Sequence, residues 1–121
     1  MKYMLLIYMD EQVMNDAERQ HCYGESTELA HDLMAKGHFL ATAPLQSVAT
    51  ATSVQMRAGK RLVTDGPFAE TREQLGGFFM VDAKNLDEAI EIAARIPGAR
   101  LGTVEIRPVV EIPGLPKESA K

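Results

Sequence analysis

Leu62-Val63-Thr64-Asp65-Gly66-Pro67-Phe68-Ala69-Glu70-Thr71-Arg72-Glu73-Gln74-Leu75-Gly76-Gly77-Phe78-Phe79 joins two apolar segments through a charged, turn-rich loop, and the order of elements on either side of it decides the fold. Gly66-Pro67 sets a turn directly after Asp65, and Gly76-Gly77 lets the chain enter a strand where a side chain would collide with a neighbouring backbone or a ligand. Upstream, Thr52 to Arg57 pairs with Lys60 to Thr64 across Ala58-Gly59 as a hairpin. Gln46 to Ala51 before it is a small, polar connection. Downstream, Gly77 to Asp82 reads as an apolar strand, and Asn85 with Glu88 forms a capping signature. The helix that follows is lined by Leu86, Ala89, Ile90, Ala93 and Ile96 and stopped by Pro97-Gly98.

Further out, Tyr3 to Met9 is an unbroken apolar run of strand length, the mark of a strand buried on both faces. Asn15 caps a helix with Glu18 reaching back, and Cys22, Ser26, Leu29, Ala30, Leu33 and Met34 share one face until Gly37 ends it. His38 to Leu45 reads as a strand ended near Pro44, and Thr103 to Val109 alternates Val104 and Ile106 against Glu105 and Arg107. Strand, helix, strand, hairpin, strand, helix, strand is an α+β, ferredoxin-like split β-α-β arrangement with an inserted hairpin. It occupies residues 1–110 as a single domain, with 111–121 a loose tail carrying Pro113 and Pro116. Two helices cover one sheet face, yet the runs at Tyr3 to Met9 and Phe78 to Val81 are apolar on both sides. The expectation is a homodimer whose open sheet faces pack roughly 10 Å apart.

A chain of 121 residues with net charge −4 and no block of like charges lacks the basic patch that nucleic acid or an anionic membrane requires. The apolar N-terminal run is too short for a signal peptide or a membrane span, and Cys22 stands alone, so a reducing cytoplasm is expected.

The segment Val63-Thr64-Asp65-Gly66-Pro67-Phe68-Ala69-Glu70-Thr71 followed by Glu73-Gln74-Leu75-Gly76-Gly77 resembles the signature of the DGPF branch of the YCII-related proteins. Leu86-Asp87-Glu88-Ala89, Arg95-Ile96-Pro97 and Val104-Glu105-Ile106-Arg107-Pro108-Val109 extend the resemblance over nearly the whole chain. It implies a dimeric α+β barrel. For activity it implies two alternatives: a cofactor-free enzyme built on a histidine and aspartate pair, as in dehydrochlorinases of chlorinated hydroxyquinones, or a regulatory module associated with an extracytoplasmic-function sigma factor. This chain carries Ser26 near the place of that histidine, with His21 and His31 elsewhere.

Asp65 is the leading candidate as general base or ligand anchor, the alternative being that it accepts hydrogen bonds from the amides of its own turn. Gly66, Pro67, Phe68, Glu70, Arg72 and Glu73 complete the candidate ligand-binding set, Phe68 reading chiefly as a packing plug and the charges as a solvated surface. His21 lies at the border of the helix's apolar face and is the second candidate for proton transfer. Cys22 reads as a buried hydrophobe with a raised pKa, not a nucleophile. The histidine and cysteine spacing offers no metal motif, no phosphate-cradling loop is present, and no cofactor is expected. The combined expectation is a small organic ligand held in a cleft between sheet and helices near Asp65, with a non-catalytic interaction module as the alternative.

Overall fold

The computed structural model describes residues 1–116; the remainder of the expected tail, 117–121, lies outside the described residues. Strands β1 (Lys2–Met9), β2 (Phe39–Pro44), β5 (Gln74–Asp82) and β6 (Thr103–Pro108) form one antiparallel sheet in the order β2-β5-β1-β6. With α1 (Asp16–Ala35) between β1 and β2, and α2 (Leu86–Ala94) between β5 and β6, this is the ferredoxin-like arrangement. Strands β3 (Thr52–Arg57) and β4 (Lys60–Asp65) form a separate two-stranded hairpin with no ladder to the main sheet.

The register of β1 sorts its side chains. Tyr3, Leu5 and Ile7 stand beside Val81, Phe79 and Gly77 on one face, with Val104 and Ile106 of β6 next to Ile7 and Leu5. This face packs against Leu29 and Leu33 of α1 and Ala89, Ile92 and Ala93 of α2 to make the core. Met4, Leu6, Tyr8, Phe78 and Met80 point the other way and stay partly exposed on an apolar face that no helix covers.

Each helix starts where a side chain satisfies an orphan amide. Asn15 Oδ1 accepts from Glu18 N at 2.8 Å, and Glu18 Oε1 accepts from Asn15 N at 3.1 Å, a reciprocal pair that anchors α1. Asn85 does the same for α2, accepting from Glu88 N at 3.0 Å. The two helices are tied by Asp32, whose Oδ2 lies 2.7 Å from Arg95 Nη2 and 3.2 Å from Lys36 Nζ. Arg95 first and Lys36 second hold the Asp32 carboxyl below its ordinary range.

Several expectations need correction. Met34 is 60 % exposed because it lies about 100° round the helix from Leu33, off the stripe that meets the sheet. On α2, Leu86 and Ile90 are half exposed and Ile92 is buried instead: the buried stripe is centred on Ala89, Ile92 and Ile96, and the other two flank it. Pro97-Gly98 ends α2 but opens a further short helix, α3 (Gly98–Leu101), since proline at a helix start loses no hydrogen bond. Strand β5 begins at Gln74, with Leu75 pairing Tyr8 and a bulge before Gly77. The expected crowding therefore falls on Gly77 alone, where a Cβ would stand 2.9 Å from the Ala43 carbonyl oxygen.

The hairpin turn places both Ala58 and Gly59 at positive φ, 51° and 76°, as the tight turn that matches strand twist demands. Glycine adopts this freely and alanine does not. Ala58→Asn, a residue tolerant of that conformation, is expected to stabilise the protein by about 0.5–1 kcal/mol. The check is a higher urea midpoint at unchanged slope.

Candidate functional site

The inward stripe of α1 is not uniformly large. At about 100° per residue Cys22, Ser26, Leu29 and Leu33 all face the sheet, but only Leu29 and Leu33, in the second half, are buried. A leucine reaches the strands across the usual helix–sheet spacing; a cysteine or serine does not. This leaves a groove of about 650 Å³ beneath α1, lined along the helix from Arg19 to His31. Its floor is Ile7, Phe79, Gly77, Ile96 and Gly98, and its far wall is Thr42 to Ser47, from β2 and the chain that follows it.

Polar groups enter this largely apolar space at a few points. Thr27 donates to Tyr23 O at 2.8 Å and Thr42 to Phe78 O at 2.8 Å, so both hydroxyls are engaged by backbone. The Ser26 hydroxyl lines the groove and makes no side-chain hydrogen bond among the described residues. Arg19 lies at one end and His31 at the other, twelve residues along the helix and about 18 Å apart along its axis.

The mouth is held by a clasp. Glu11, in the 3-10 turn Glu11–Val13, accepts from Ser47 Oγ at 2.8 Å through Oε2 and from Val48 N at 2.7 Å through Oε1. Ser47 in turn caps the 3-10 turn Val48–Thr50, accepting from Ala49 N at 3.1 Å. One carboxylate thus joins the chain leaving β1 to the chain leaving β2, across sequence separations of 36 and 37 residues.

The residues singled out in the sequence lie elsewhere. Asp65 ends β4 with its side chain exposed, and its carboxylate takes no hydrogen bond from the following amides among the described residues. The turn is fixed by backbone instead: Gly66 N donates to Ala51 O at 2.7 Å, and Ser53 Oγ donates to Gly66 O at 2.8 Å. Phe68 plugs nothing within the chain, at 81 % exposure. Pro67 and Glu70 are exposed too. Arg72 Nε reaches Asp10 Oδ2 at 3.8 Å from an almost fully solvated position. Glu73 accepts from Thr103 Oγ1 at 2.9 Å. None of Asp65 to Glu73 lines the groove within one chain.

His21 is turned outward on α1, with Nε2 3.2 Å from Glu25 Oε1, and Glu25 also binds Arg100 at 2.9 Å. These three residues border a second depression of about 390 Å³ between α1 and α3. His38 is structural, as its place at a strand start suggested: Nδ1 is 2.9 Å from Asp82 O. Asp65 and His21 are therefore not brought together within the chain.

The match of a family model for the YCII-related domain to residues 1–113 settles what this fold with its inserted hairpin belongs to. The chain belongs to the YCII-related family. It is also similar to an uncharacterized protein of Rhizobium meliloti (strain 1021), 35 % identical over 118 residues that cover 90 % of this chain and 92 % of that protein.

What sets this YCII-related chain's groove is the pair of small residues, Cys22 and Ser26, four apart on the inward stripe of α1. From sequence both fall on the helix's apolar face, and Ser26 also stands near the place of the family's histidine. The signal was present: small and polar residues stand where Leu29 and Leu33 continue the same stripe. Cys22 is only partly buried and borders both the groove and the second depression, its Sγ 3.6 Å from Met14 Sδ. Burial pushes its thiol up, the Glu25 carboxylate adds to the effect, and Arg100 opposes it.

Two outcomes follow for this region. Because the thiolate is the reactive form, Cys22 is expected to react with iodoacetamide near neutral pH more slowly than a free thiol, and to gain reactivity only above the ordinary thiol range of about pH 8.5. Mass spectrometry of the labelled protein across pH checks this. Glu11→Ala removes both acceptors of the clasp and is expected to cost about 1–2 kcal/mol, with faster hydrogen exchange at the Val48 amide.

Proposed function

We propose that this YCII-related protein binds a small organic molecule in the groove beneath α1, between Arg19 and His31. The observation that carries this reading is the groove itself: about 650 Å³ over an apolar floor, with Ser26 in its lining and the Glu11 clasp joining two of its walls. Pockets of this size, mostly apolar and with a few placed polar groups, are what ligand sites require.

The working form in this reading is a cytoplasmic homodimer. Met4, Leu6, Tyr8, Phe78 and Met80 on the open sheet face, with Val54, Met56 and Val63 along one face of the hairpin, are apolar groups that a second copy would cover. Asp65, Gly66, Pro67, Phe68, Glu70, Arg72 and Glu73 of the DGPF-like loop lie beside that surface in sequence, and we assign them to the rim that one copy offers the other. Cofactor-free acid–base chemistry would then draw its base, Asp65, from the second copy, with His21 facing the second depression and not the groove. The second reading, a module that engages an extracytoplasmic-function sigma factor, draws on the same exposed hairpin face.

Sedimentation equilibrium separates the assemblies, with twice the chain mass of 13.3 kDa expected. Thermal unfolding against phenols, quinols and small organic acids tests binding. A compound at a hundred times its Kd is expected to stabilise wild type by about 2.7 kcal/mol and to leave Ser26→Trp, whose indole occupies the groove, unshifted. A full shift in Ser26→Trp would remove the groove from the account. A stable complex with a sigma factor and no response to any compound would favour the second reading.

A further inference from the structure

We propose that the groove takes an elongated organic monoanion, such as a carboxylic acid on an apolar body, with the acid group held by Arg19. The inference deepens the binding site proposed above and rests on it. Arg19 is the sole lysine or arginine among the groove-lining residues, and it stands at the end where α1 begins. Its present partners leave it available. Nη1 meets Asp16 Oδ1 at 3.0 Å, but the Asp16 side chain is wholly solvated and three residues away on the same helix, a pairing that contributes little. Nη2 reaches only the Glu11 carbonyl, at 3.4 Å.

The one carboxylate that could repel an anion there is held in place by hydrogen bonds, which fix its position and stabilise its charge without removing it. Glu11 is the sole carboxylate lining the groove, and both its oxygens are turned to Ser47 Oγ and Val48 N. A guanidinium whose side chain is 32 % exposed, and whose two contacts are a solvated carboxylate and a long bond to a carbonyl, can exchange them for an oxyanion bound in a bidentate fashion. From Arg19 the groove runs about 18 Å along α1 over Ile7, Phe79 and Ile96, so the space favours a long apolar body behind the acid group. Ser26, between the two ends, offers one hydroxyl to a polar substituent part-way along.

The test uses two probes with one skeleton, 8-anilinonaphthalene-1-sulfonate and its uncharged counterpart N-phenyl-1-naphthylamine, titrated by fluorescence with wild type, Arg19→Gln, Arg19→Lys and Ser26→Trp. Wild type is expected to bind the sulfonate about ten-fold more tightly than the neutral probe. Arg19→Gln is expected to erase that preference while leaving the neutral probe's affinity unchanged, and Arg19→Lys to keep part of it. Since Arg19 is outside the core, unchanged near-ultraviolet dichroism confirms folding.

Equal binding of the two probes to wild type, or a preference that survives in Arg19→Gln, overturns the assignment of the anion to Arg19 and leaves the groove as a neutral-ligand site. Binding that persists in Ser26→Trp places the probes on other apolar surface and removes the groove reading with it.

Discussion

The whole molecule depends on how far one helix can reach its sheet. Helix α1 meets the strands through Leu29 and Leu33 alone among its buried residues, and both lie in its second half. Those contacts, with the Asp32 link to Arg95 on α2, fix where the helix lies. Around Cys22 and Ser26 the helix is then held over the sheet without a large side chain beneath it. The groove is the space those two residues leave, and the capping box at Asn15 together with the Glu11 clasp keeps its walls from collapsing into it. Fully burying a leucine stabilises by about 1.5–3 kcal/mol, so leaving that position small forgoes stability that a purely structural helix would take. Ligand sites are where such sacrifices are found.

The same geometry explains the second unusual surface. The helices shield one face of the four strands, so Met4, Leu6, Tyr8, Phe78 and Met80 face outward, and the hairpin β3–β4 projects with Val54, Met56 and Val63 half or more exposed. The hairpin is held at its base by Gly66 N to Ala51 O and Ser53 Oγ to Gly66 O. The loop that follows it carries Phe68 into solvent. The homodimer proposed above would cover this apolar surface with the one partner always present at matching concentration.

Most of the fold was legible because its signals are local. The apolar run at Tyr3 to Met9, the capping pairs Asn15 with Glu18 and Asn85 with Glu88, and the Ala58-Gly59 turn each declare themselves within a few residues. Errors came where tertiary packing chooses among neighbours: Met34, Leu86 and Ile90 look as apolar as Leu33 and Ile92, and only the helix's rotation over the sheet decides which are buried. The candidate site was less legible for a related reason. The Asp65 loop is dense in special turn residues and draws the eye, yet within the chain its conformation is set by backbone hydrogen bonds and its charges face water. The groove instead arises from what is missing at Cys22 and Ser26, and from a clasp joining residues 36 and 37 apart in sequence, which no local pattern announces.

If Ser26 is kept small at the expense of stability, the unfolding free energy of Ser26→Leu in urea, without ligand, reads that sacrifice. A more stable protein is expected, by about 1 kcal/mol for apolar groups added to half-enclosed space, with an unchanged denaturant slope. A loss of 1 kcal/mol or more, the usual outcome of overfilling a packed core, would contradict it, because it would mean that α1 already lies closed on the sheet and that the groove is not open in solution.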